Sequence, residues 1–120
     1  MSGTVRPERV PKPWGHEIIW ARTDRYVGKL LHVRKGEAMS LQYHRVKDET
    51  MRVVAGRVAL EVGDAAGPLR TVELGPGDGW HLAPGTRHRL TALEDADLVE
   101  VSTPELDDLV RLEDRYGRVP

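Results

Sequence analysis

An all-β barrel or sandwich is the fold class this sequence predicts, on three observations. Short runs of β-branched and apolar residues recur from Trp14 to Thr103. Turn-forming clusters separate them, namely RTD, RKG, AG, GDAAGP, GPGD, APGT and ED. No helical period appears before residues 105–117. Many short strands at this spacing cannot bury their apolar faces singly, so they must close on one another.

Taken in order, residues 1–13 are rich in proline and charge. Pro7, Pro11 and Pro13 forbid a helix, which predicts an extended arm lying along another element or a second subunit. The strand-like runs follow at 16–20, 26–33, 39–44, 50–55, 57–62, 69–74, 79–82, 88–93 and 97–103. Within VVAGRVALEV, Gly56 between two β-branched runs predicts a hairpin. Residues 14–103 make up the expected barrel. In the remainder, 104–120, Leu106, Leu109 and Val110 step at a helical period behind Pro104, with Thr103 placed to cap. One short C-terminal helix closing an end of the barrel is the expectation.

Composition excludes several classes. A chain of 120 residues buries one core and has no room for a second catalytic unit. Lys and Arg number 18 against 19 Asp and Glu, scattered along the chain, so there is no basic field for nucleic acid. The absence of cysteine removes disulfides and thiolate chemistry and is compatible with a reducing compartment. The start lacks the apolar core of a signal peptide, and no apolar run reaches membrane-span length. A cytoplasmic protein with no membrane partner is expected.

The chemistry concentrates between Gly36 and Gly56. Gln42 and His44 are two apart, so on an extended strand both point to one face, and four intervening residues let the chain turn and return Glu49. A second segment, GDGWHLAPGTRH, delivers His88 from a distant strand. Leaving these four polar side chains unpaired inside a barrel would cost several kcal/mol. Oxygen and imidazole donors suit one divalent ion, Zn first among Zn, Mn, Fe, Co and Ni. GPGDG leads into a strand and lacks the Lys-Ser/Thr of a phosphate loop, so it is a turn. His32 and His81 fall at outward positions, and Tyr43, between two predicted ligands, faces away from them.

These spacings carry a family resemblance. Gly36, Gln42, His44, Glu49 and Gly56 fit the first cupin motif at every interval, with Gln42 in the first His position. Gly77, Gly85 and His88 fit the second motif, with Ala83 in place of its Pro and Ala92 in place of its Asn. The resemblance implies a double-stranded β-helix or jelly-roll barrel. PKPWGHE (11–17), KLLHVRKGEAMSLQYH (29–44) and DDLVRLEDRYGR (107–118) narrow it further. Together they resemble the cupin domain of type II mannose-6-phosphate isomerases, the C-terminal domain of bifunctional mannose-6-phosphate isomerase/GDP-mannose pyrophosphorylases. That resemblance implies a Gln-His-Glu-His metal set, a sugar-phosphate substrate, aldose–ketose interconversion through an enediolate, and a homodimer. The nucleotidyltransferase part of those proteins has no counterpart in these residues, so no pyrophosphorylase activity is expected. Lys47, and Met51 where a Trp is usual, leave room for a different sugar.

An enediolate route also needs a base. Glu100, on a strand that alternates into the barrel, and Lys29, which matches a lysine of the resembling domains, are the candidates. A phosphate needs Arg at the barrel mouth, and Arg115 and Arg118 in the tail, followed by Arg87 and Arg89 around His88, are the candidates. Two other functions share these residues. One is an Fe- or Ni-dependent cupin enzyme such as a dioxygenase, and the other is a non-catalytic sugar-binding cupin.

Overall fold

The computed structural model describes residues 2–119, so Met1 of the predicted arm and Pro120 of the predicted tail lie outside the described residues. Among the described residues, eleven strands pair in two antiparallel sheets. The first sheet runs β1 (Glu8–Lys12), β2 (Gly15–Arg22), β3 (Val27–Val33), β10 (Ala96–Ser102), β5 (Glu49–Ala55), β8 (Gly79–Leu82). The second runs β11 (Val110–Glu113), β4 (Leu41–Tyr43), β9 (Arg87–Ala92), β6 (Val58–Gly63), β7 (Arg70–Leu74). Strands remote in sequence are neighbours in both sheets, which is the jelly-roll arrangement that the two half-motifs imply.

Alternation decides which side chains are inside. Along β6, Val58, Leu60 and Val62 are buried while Ala59 and Glu61 are only partly covered. Their counterparts Leu90 on β9, Val53 on β5 and Leu98 on β10 complete a core between the sheets. Each such side chain contributes about 1.5–3 kcal/mol by burial. Toward one end of the barrel the inner face changes character. Glu17, Lys29, Lys47, Glu49, His44, His88 and Glu100 are all buried there, and they line or adjoin the site described below.

The predicted C-terminal helix is not formed; the described residues contain no helix. After Pro104 the chain crosses the barrel end in turns and then adds β11 to the second sheet as its edge strand, paired with β4. Tertiary contacts decide against the helix. Thr103 Oγ1 accepts the Asp48 N–H instead of capping. The Asp108 carboxylate accepts the N–H groups of Arg45, Val46 and Lys47, at 3.0, 2.7 and 2.8 Å. Leu106 and Leu109, which suggested the helical stripe, face the barrel interior from this crossing segment. No helix of the described residues is long and apolar enough to cross a membrane.

A second correction concerns VVAGRVALEV. β5 and β6 do not pair as a hairpin, because each belongs to a different sheet. Gly56 is the corner between the sheets, with φ of 80°. A Cβ there would stand 2.1 Å from the Asp95 carbonyl oxygen, so the corner requires glycine. Within the predicted arm, β1 pairs in register with β2 from Glu8↔Ile19 to Lys12↔Gly15.

Candidate metal centre

Pairing across three strands of the second sheet aligns the site. Gln42 on β4 lies directly opposite His88 on β9 and, on its other side, opposite Arg111 on β11. Directly opposed residues project to the same face, so these side chains form one row. His44 leaves β4 at its end, and Glu49 opens β5 on the facing sheet. The turn between them is held by Asp108, whose carboxyl its three backbone N–H donors keep well below the usual range, at about 2.

The ring nitrogens are oriented from outside. His44 Nδ1 lies 2.6 Å from the Asp108 carbonyl oxygen, and His88 Nδ1 lies 2.9 Å from that of Thr86. A carbonyl only accepts, so both rings carry a proton on Nδ1 and direct Nε2 inward. There, Glu49 Oε1 is 3.0 Å from His44 Nε2 and 3.3 Å from His88 Nε2. Two neutral rings would thus set lone pairs against a buried carboxylate, an arrangement stable only with a cation or extra protons between them. The ligand atoms of His44, Glu49 and His88 all lie within 4.8 Å of one another. That donor set fits a divalent metal, and the outward carbonyl contacts are the supports metal-bound histidines need. Gln42 Oε1 lies 2.6 Å from Ser40 Oγ, while its Nε2 lies 3.5 Å from His88 Nε2. With the amide turned over, Nε2 still serves Ser40 Oγ and the carbonyl oxygen joins the cluster, so Gln42 fits as an oxygen donor.

Beyond the cluster, charges alternate across the inner face of the first sheet. Lys47 Nζ lies 3.3 Å from Glu49 Oε2 and 3.5 Å from Glu100 Oε2. Lys29, opposite Glu100 in register, is 3.4 Å from Glu17, which also meets Lys12 at 3.9 Å. Burial and then the charge of Glu49 push the Glu100 carboxyl up to about 7. Glu49 goes the other way. Burial opposes its ionisation, but when protons fill the cluster in place of a cation the Nε2–H groups of His44 and His88 donate to it, and with the charge of Lys47 they hold it far below the usual range. For Lys47, burial pulls downward and the carboxylates of Glu100 and Glu49 outweigh it, so its pKa is raised.

A cavity of about 310 Å³ opens over this row, lined by Gln42, His44, Glu49 and Glu100 among others. Of the predicted bases, Glu100 and Lys29 both reach its wall. Of the predicted phosphate ligands, only Arg118 does, bound through two nitrogens to Asp114 at 2.8 and 2.9 Å. Arg115 donates to the Gly36 carbonyl. Arg87 donates to the Asp64 carbonyl at 2.7 Å, and Arg89 pairs with Glu61 and Glu113. His32 and His81 pair with Asp97 and Asp48 at the surface. Sequence reasoning missed Asp108 and Arg111, both inside the expected helix. Leu109 and Arg111 both line the cavity, so a strand-like step of two was the available signal.

Comparisons with known proteins agree with this fold. A Mannose-1-phosphate guanylyltransferase ManC of Salmonella typhimurium is 36% identical over 115 residues, 92% of this chain and 23% of the relative. The chain therefore spans about a quarter of that relative's length. Among solved structures, KdgF from Halomonas sp. superposes with a TM-score of 0.69 at 24% identity, over 84% of this chain and 91% of that one. Oxalate Decarboxylase from Bacillus subtilis superposes with a TM-score of 0.77 at 16% identity, over 95% of this chain and 32% of that one. At those identities the likeness is one of fold. The model of the Cupin domain family matches residues 29–103, from the Lys29 strand past the metal cluster to the end of the barrel, and the chain belongs to the cupin family.

Proposed function

We propose that the chain is a metal-dependent cupin enzyme acting on a small sugar phosphate, and that its reaction is aldose–ketose isomerisation of the mannose-6-phosphate isomerase type. One observation supports it above the others. A buried carboxyl pushed up to about 7, Glu100, adjoins Glu49 of the His44–Glu49–His88 cluster and shares Lys47 with it, on the wall of a cavity of sugar-phosphate size. A divalent ion held by His44, Glu49, His88 and Gln42, zinc or one of Mn, Fe, Co and Ni, would supply Lewis-acid stabilisation to neighbouring substrate oxygens.

The chain's own residues do the rest. Burial and the neighbouring Glu49 raise the proton affinity of Glu100 above that of an ordinary carboxylate, which suits it to take a proton from one substrate carbon and return it to the next. Lys47 bridges Glu100 and Glu49, steadying the carboxylate when it forms. Lys29 is committed to Glu17, so it serves to position the wall opposite Glu100. Leu106 and Leu109 cover the cavity end and limit water around the reacting carbons. The similarity to a mannose-1-phosphate guanylyltransferase supports a sugar-phosphate substrate; the transferase activity in that name is not carried over, given the quarter of its length spanned. The working form is a homodimer.

A second reading is favoured by the donor set itself. Two imidazoles and one carboxylate also serve non-haem iron oxygenases. Metal analysis of the purified protein, followed by a panel of aldose and ketose phosphates and an oxygen electrode, separates the two. Interconversion without oxygen uptake, lost in Glu100→Gln, is the expected result. Substrate-dependent oxygen uptake would transfer the site to the second reading, and binding without any turnover would make it a sugar-binding cupin.

A further inference from the structure

The cavity wall carries one partly buried guanidinium that the fold does not use; Arg22, which also lines the cavity, is exposed. Arg111 stands on edge strand β11, directly opposite Gln42, so both side chains rise from the same face of the sheet beside the metal cluster. Its Nε is buried and has no hydrogen-bond partner. The other cations deep on this wall are committed: Lys29 to Glu17, Lys47 to Glu49 and Glu100, Arg118 to Asp114. Among the described residues no carboxylate lies within ion-pair distance of Arg111. The other buried orphan, Glu105 Oε2, is not on the cavity wall. The acids that share the wall at its rim, Glu8 and Asp107, are exposed.

A buried guanidinium donor without an acceptor is costly unless an acceptor arrives with a ligand. Neutralised cations around it cannot take that role, because their charge is already spent on carboxylates. We propose that Arg111 receives the anionic group at one end of the substrate, a phosphate or carboxylate, while the other end lies against the metal cluster. The planar fork of a guanidinium matches the oxygens of either group through two parallel hydrogen bonds. This rests on the reading of the cavity as the binding site of a metal-dependent cupin enzyme, and it names the residue that selects an anionic substrate. Arg111 takes the place of Arg115, Arg87 and Arg89, whose guanidinium groups are engaged elsewhere.

Calorimetric titration of the protein as purified tests the assignment without requiring turnover. The probes are inorganic phosphate, mannose 6-phosphate, glucuronate and neutral mannose. The proteins are wild type, Arg111→Gln, Arg111→Met and the exposed control Arg57→Gln, each checked for folding by circular dichroism. Wild type is expected to bind mannose 6-phosphate or glucuronate in preference to mannose; whichever is tighter identifies the anion. Arg111→Gln and Arg111→Met should weaken that anion by about tenfold or more, leave mannose unchanged, and match wild type in metal content. Arg57→Gln should bind as wild type does. Equal anion affinity in the Arg111 variants, or no preference for anions in wild type, overturns the proposal. Arg111-dependent binding without turnover of any sugar phosphate would sink the isomerase reading and leave this one standing. Turnover of a neutral sugar untouched by Arg111→Gln would do the reverse.

Discussion

Both histidines of the cluster are aimed by the backbone. Because Asp108 and Thr86 offer only carbonyl oxygens to Nδ1, neither ring can turn Nε2 outward without losing a hydrogen bond and burying a bare donor. Removing either ring deletes one of the donors and leaves Glu49 buried with a single imidazole. His44→Ala and His88→Ala are therefore expected to lose bound metal by elemental analysis, while Gln42→His keeps it, since an imidazole replaces an amide oxygen. Full occupancy in a His44/His88 double variant would end the metal assignment. Glu100 separates chemistry from binding. It touches Lys47 and Glu49 but is absent from the ligand cluster, so Glu100→Gln, which can still hydrogen-bond Glu49, should retain metal and lose about 10²-fold to 10⁴-fold in turnover. Loss of metal together with activity would make Glu100 a structural support and not the proton carrier.

At the level of elements, the segment after Pro104 is the part on which sequence and structure part company, and carboxylates anchor it. Asp108 is held to about 2 by three backbone N–H groups, and Asp114 to about 2 chiefly by its hydrogen bonds from Arg118. For an acid whose folded pKa is depressed, the stabilisation is complete above the ordinary value near 3.8 and is lost as pH falls through about 2. The segment should therefore loosen between about pH 4 and 2, and amide exchange at Arg45–Lys47 and Arg118 should rise there first. Asp108→Asn should show faster exchange at Arg45–Lys47 already at neutral pH, whereas unchanged exchange would remove the anchoring role. This same segment explains what the sequence did and did not disclose. The strands from 15 to 102 and the grouping of His44, Glu49 and His88 were legible because a period of two and fixed motif intervals are local signals. Leu106, Leu109 and Val110 also present a local pattern, but a distant strand edge and the loop at Arg45–Lys47 claim the segment instead. Gly56 shows the same limit: its turn was readable, and the sheet its second strand would join was not.

For the whole molecule, the outer face of the first sheet asks for a partner. Ile18, Leu30 and Val99 stand side by side across β2, β3 and β10, as their registers Ile18↔Leu30 and Leu30↔Val99 require. Trp20 lies over Gly28 beside them, where a Cβ would approach the indole to 2.8 Å. Leu30, Trp20, Val101 and Val54 remain 42%, 43%, 55% and 56% exposed, a contiguous apolar patch on an otherwise charged surface. A second copy is the occupant expected on this patch. In a two-fold contact, each residue near the axis meets its own copy, which like charges resist and uncharged apolar side chains do not. Ile18, Leu30, Val99 and Val101 make an uncharged run on this face, bordered by Arg52, which lies opposite Val99 on β5. The protein should therefore sediment at twice its 13.5 kDa chain mass at micromolar concentration. Leu30→Glu, which places a like charge on both sides of the axis, should return it to the monomer with metal content unchanged, because Leu30 points away from the cavity. A wild-type monomer in the ultracentrifuge would refute the dimer, and a Leu30→Glu protein that stayed dimeric would place the contact on another face.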